Sequence, residues 1–100
     1  MTITQDDLIV FLVNQAPKAL RFHLVLAKQF VNMDTPIIMS EKQAAELLGL
    51  QPRRAAVLKK SAVEDGLWIT VRGYRNRPSK YTLSPRVASL IIESKEQKGS

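Results

Sequence analysis

Apolar residues recur at three- and four-residue steps as far as Gly66 and at two-residue steps after it, so the chain reads as helices followed by a hairpin. Thr4 ahead of Gln5-Asp6-Asp7 is a capping residue followed by carboxylates that suit the positive end of a helix dipole. Leu8, Ile9, Phe11, Leu12 and Val13 give that first helix, over 5–14, its apolar stripe. Pro17 opens a second helix through Leu20, Leu24, Ala27, Phe30 and Val31, which Asp34-Thr35-Pro36 ends. Ile37-Ile38-Met39 is too short for a helix between that breaker and the next cap and predicts a brief extended segment.

Ser40 and Gln43 match a capping box, and Gly49 supplies a residue able to take positive φ, so a helix is predicted over 41–48 with Ala44, Ala45, Leu47 and Leu48 inward. Pro52 opens the next helix, over 52–64, with Ala55, Leu58 and Ala62 inward and a stop at Asp65-Gly66. Leu67, Ile69 and Val71 then alternate with Trp68, Thr70 and Arg72 as in a half-buried strand, and Tyr81 and Leu83 resume the alternation after a loop from Gly73 to Ser79. Ser84-Pro85 starts a last helix, over 85–96, with Val87, Leu90, Ile91 and Ser94 on one side and a frayed end beyond. The fold class is mainly α with a small β-hairpin (α+β), in the order α-α-β-α-α-β-β-α, as a single domain over 1–100.

Composition narrows the chemistry. One hundred residues provide one core, and 45% apolar residues are enough to build it. There is no cysteine and only one histidine, His23, so a thiolate site or a His-rich metal site cannot be assembled from one chain, and neither an enzyme nor a cofactor is expected. The first residues are acidic and the longest apolar run, Leu8 to Val13, falls far short of the roughly 20 residues needed to span a bilayer. The expected setting is the cytoplasm, without a membrane partner, and the nucleoid when bound to DNA.

The position of the charge is the strongest signal. Fifteen Lys and Arg against nine Asp and Glu leave +6. Residues 51–80 carry Arg53, Arg54, Lys59, Lys60, Arg72, Arg75, Arg77 and Lys80 against Glu64 and Asp65, eight minus two, so the whole excess lies there; the remaining residues carry seven of each sign. A contiguous basic segment points to an anionic partner.

The run Ser40-Glu41-Lys42-Gln43-Ala44-Ala45-Glu46-Leu47-Leu48-Gly49-Leu50, the following Gln51-Pro52-Arg53-Arg54-Ala55-Ala56-Val57-Leu58 and the later Glu64-Asp65-Gly66-Leu67-Trp68-Ile69 together resemble the winged helix-turn-helix DNA-binding family. The likeness covers about residues 17–83 and extends to small MarR-like regulators and TubR-like plasmid centromere-binding proteins. It implies a supporting helix over 41–48, a recognition helix over 52–64, a wing over 67–83, and flanking helices that pack or dimerise. Lys59 and Ala62 depart from it, standing where such recognition helices carry larger apolar residues. The missing cysteine and histidine cluster removes an ArsR-like metal sensor.

On the helix opened by Pro52, Arg53, Arg54, Val57, Lys60 and Ser61 fall on the outer faces, and with Pro52 and the preceding Gln51 they form the candidate DNA face. Recognition helices read base edges with their N-terminal residues, and arginine pairs with guanine O6 and N7 through two parallel bonds, which makes Arg53 and Arg54 the base readers. Cations in a first helical turn oppose the dipole, which argues for a use other than stability. Lys60 suits a phosphate, and Gln51 an adenine or a phosphate. In the loop, Arg72, Tyr74, Arg75, Asn76, Arg77 and Lys80 suit the backbone or a narrow minor groove, with Arg75 and Arg77 as groove probes and Tyr74 able to stack, and Ser40 and Thr70 are weaker phosphate candidates.

Leu8, Phe11, Leu12, Val87, Leu90 and Ile91 offer more apolar surface than one small core consumes, which predicts a homodimer through the first and last helices. His23 and Trp68 read as structural, and Asp6 and Asp7 as capping. The expected function is sequence-specific double-stranded DNA binding as a repressor-like transcriptional regulator. A plasmid or phage partition or replication protein on repeated sites, and a winged-helix adaptor that binds protein, are the alternatives.

Overall fold

A computed structural model of the chain describes residues 2–73 and 77–98. Helix α1 (Gln5–Gln15) starts at a capping box in which Thr4 accepts from the Asp7 N–H and Asp7 accepts from the Thr4 N–H. It ends at Ala16, whose φ of 45° turns the chain into Pro17. Helix α2 (Leu20–Gln29) begins three residues later than its proline: the Pro17 carbonyl accepts from Leu20 in a turn that precedes the helix. Phe22, His23, Leu26 and Ala27 are all buried, a wider face than the Leu20–Leu24–Ala27 stripe predicts, because α2 packs on α1, α3 and α4 at once. Gln5 of α1 donates to the Lys28 and Phe30 carbonyls, closing the end of α2.

Strand β1 (Ile37–Met39) leads into α3 (Glu41–Leu48), which carries the predicted Ser40–Gln43 capping box and ends on Gly49 at φ 67°. Ala44, Ala45 and Leu48 are inward as expected, but Leu47 faces solvent, because the packing face of this short helix is only three residues wide. A tight turn brings the chain into α4 (Pro52–Glu64), with Pro52 in its first turn. Strands β2 (Trp68–Val71) and β3 (Ser79–Leu83) form the hairpin, and α5 (Pro85–Lys98) follows.

The extended segment at 37–39 is a full member of the sheet. The order is β1-β3-β2, all antiparallel, with Ile37 opposite Tyr81 and Trp68 opposite Leu83. The alternation in β2 is as predicted, with the aromatic side inward: Trp68 is buried, whereas Ile69 and Val71 face solvent. This arrangement of helices and sheet has a winged-helix-like topology. Helix α5 runs past the expected fraying point to Lys98, held by Lys95, whose Nζ donates to the Thr2 carbonyl and lies 2.8 Å from Asp7 Oδ2. Among the described residues no helix is long and apolar enough to cross a membrane.

Candidate nucleic-acid interface

Helix α4 is seated by small side chains. Ala55 and Ala62 are buried and Leu58 is half-buried, so the helix axis lies close to the core. Turned outward are Gln51, Pro52, Arg53, Arg54 and Lys60, together with Val57, which is 67% exposed; Ser61 is half-buried at their edge. A shallow cleft runs along this side between α4 and Arg21 of α2. Arg21 went unnoticed in the sequence, since the carbonyl it binds, that of Leu48 at 2.9 Å, lies at the far end of α3 and no local spacing links the two.

The departure at Lys59 has a physical resolution. Its side chain is only 15% exposed, and its amine leaves the apolar stem to donate to Ser79 Oγ of β3 at 2.9 Å and to pair with Glu41 of α3 at 3.5 Å. An apolar side chain there would pack α4 alone, whereas the lysine also fixes the sheet and α3 to it.

On the hairpin, Arg72, Arg77 and Lys80 are exposed; Tyr74, Arg75 and Asn76 lie outside the described residues. Gly73 closes the hairpin base: a Cβ at this position would run into the carbonyls of Arg77 and Pro78. Between this base and the start of α3 lies a concavity of about 410 Å³, bordered by Lys42, Lys59, Arg72 and Arg77. Ser40 stands at its edge with its hydroxyl accepting from the Gln43 N–H.

A buried polar chain joins α4 to the hairpin. Trp68 Nε1 donates to His23 Nδ1 at 3.0 Å, and His23 Nε2 lies 2.7 Å from Asp65 Oδ2, which also accepts from the Ala19 N–H at 3.4 Å. With Nδ1 occupied as an acceptor, the imidazole carries its proton on Nε2 and donates to Asp65. Burial drives the His23 pKa below its ordinary value, against the opposing pull of Asp65. Asp65 caps α4 and Trp68 begins β2, so one imidazole fixes the angle between the helix and the wing.

Of the residues expected at a dimer interface, Leu8, Leu12, Val87 and Ile91 are buried in the chain's own core and have no surface left for a partner. The flanking helices pack on each other, which takes up these four side chains. Phe11, half-buried, and Leu90, 45% exposed, remain along a groove between α1 and α5 that Val10 also borders.

No known protein family, curated protein or solved structure matches the chain.

Proposed function

We propose that the protein is a winged helix-turn-helix regulator that binds double-stranded DNA in a sequence-specific manner, as a repressor does. The observation that carries this reading is the set of exposed cations on two elements that side-chain bonds tie to each other. Arg53 and Arg54 stand on the open first turn of α4, and Arg72, Arg77 and Lys80 on the hairpin that His23 and Lys59 tie to that helix. In this reading α4 enters the major groove, Arg53 and Arg54 take guanine edges, and Val57 meets a thymine methyl. Lys60, Arg72, Arg77 and Lys80 contact phosphates, and the protein acts as a homodimer through the groove between α1 and α5, with Val10, Phe11 and Leu90 at its centre.

Selection of bound duplexes from a random library tests specificity directly. A recovered consensus whose binding falls at least tenfold in the doubly substituted Arg53→Ala, Arg54→Ala protein, with binding to random duplex changed much less, is the expected outcome. Equal losses on selected and random duplex would remove base reading from these arginines. A single palindrome fits an operator, and tandem repeats covered cooperatively fit the partition or replication alternative.

A further inference from the structure

The concavity between α3 and the hairpin contains a cation that neither the helix pattern nor the outward-facing arginines identify. Lys59 is largely withdrawn from water and has three N–H donors. One is used by Ser79, and Glu41 answers the charge from 3.5 Å, longer than the roughly 2.7–2.9 Å of a close ammonium–carboxylate bond. The Glu41 side chain is itself 59% exposed, so it holds its place weakly. Around this pair stand Lys42 from α3 and Arg72 and Arg77 from the hairpin, leaving four cations against one carboxylate among the described residues that border a space of about 410 Å³. A phosphodiester brings the charge, the acceptor oxygens and the size that this site lacks.

We propose that this concavity is the seat of one backbone phosphate of the duplex, that Lys59 is the ordered cation at its base, and that Glu41 is a resident counter-ion which the phosphate displaces. The inference rests on the reading of the protein as a duplex-DNA binder and adds to it a specific contact. Because Lys59 is also bonded to β3, seating the phosphate joins the helix-turn-helix and the wing on one strand of the duplex. Glu41 sets the cost of that step and shields the half-buried ammonium when DNA is absent.

The experiment measures affinity for a selected duplex against salt concentration in the full-length protein. Lys59→Gln, which keeps a donor toward Ser79 and removes the charge, is expected to flatten the log–log slope by about 0.9, the value for one phosphate contact. Glu41→Gln is expected to tighten binding about threefold or more at low salt, and to lose that effect when combined with Lys59→Gln. Ser79→Ala, which breaks the latch and leaves the charge, should keep the wild-type slope. If Lys59→Gln does not fold, Lys42→Ala on the exposed rim carries the test, with an expected flattening in the same direction.

An unchanged slope in the charge-removing variant, with Arg53→Ala, Arg54→Ala still impaired, overturns the phosphate seat and leaves the DNA-binding reading intact. So does a Glu41→Gln effect that persists without Lys59. Wild-type protein that binds no duplex at all overturns both.

Discussion

His23 has no exposed surface, and both ring nitrogens are committed: Nδ1 accepts from Trp68 and Nε2 donates to Asp65. A second proton would have to enter at Nδ1 and would face the Trp68 N–H, two donors against each other in a buried site. Burial depresses the folded-state pKa below the ordinary 6.5, so between those two values the unfolded chain binds more protons than the folded one. The stability that this histidine contributes is therefore complete above pH 6.5 and drains away as pH falls through the window beneath it. The urea midpoint is expected to fall on acidification from pH 7 to 5, with a slope of at most about 1.4 kcal/mol per pH unit from one proton. His23→Gln, which does not titrate, should show a lower midpoint at pH 7 and a flatter profile. A wild-type midpoint that stays level over this range would mean that the ring charges as readily inside as outside.

Among the elements, those specified by local chemistry were legible in the sequence. Ser40 with Gln43, Gly49 and Pro52 set the limits of α3 and α4 through bonds and dihedrals that span only a few residues. What depended on distant partners was not: the outward turn of Leu47, the inward side of β2 and the joining of 37–39 to β3 all follow from packing. The candidate site divides in the same way. Arg53 and Arg54 follow from their place after Pro52, whereas the bridge from Lys59 to Ser79 and the reach of Arg21 to Leu48 span 20 and 27 residues. The end of α5 belongs to this second group. Lys95 meets the Asp7 carboxylate, which holds the pKa of that carboxyl below its ordinary value, and the Thr2 carbonyl, so α1 and α5 close each other's ends. Replacing Lys95→Met keeps the stem and removes both contacts. It is expected to cost less than about 1 kcal/mol, as for other partly exposed ion pairs, while selectively speeding amide exchange from Glu96 onward. Unaltered exchange there would show that the helix end is maintained by other contacts.

For the whole molecule, the +6 charge and the state of association are tested by one pair of measurements. Among the described residues three phosphates are engaged in the proposed complex, one in the concavity bordered by Lys42, Lys59, Arg72 and Arg77 and one each at Lys60 and Lys80. At about 0.9 counterions per phosphate, one protomer on B-DNA gives a log–log salt slope of about −3, and a two-fold pair on adjacent half-sites about −5. The dimer proposed here has to assemble on a narrow surface, since most of the apolar residues of α1 and α5 are already buried within the chain. Sedimentation equilibrium should nevertheless give twice 11.3 kDa at working concentrations, with Leu90→Glu restoring the monomer mass and bringing the slope toward the smaller value. Leu90 lies on α5, in a groove that none of the six phosphate-binding cations borders, so a change in slope on its replacement reports assembly and not a lost phosphate contact. A mass of 11.3 kDa together with a slope near −3 would leave a monomeric DNA-binding protein, and a slope near zero would remove the nucleic acid altogether.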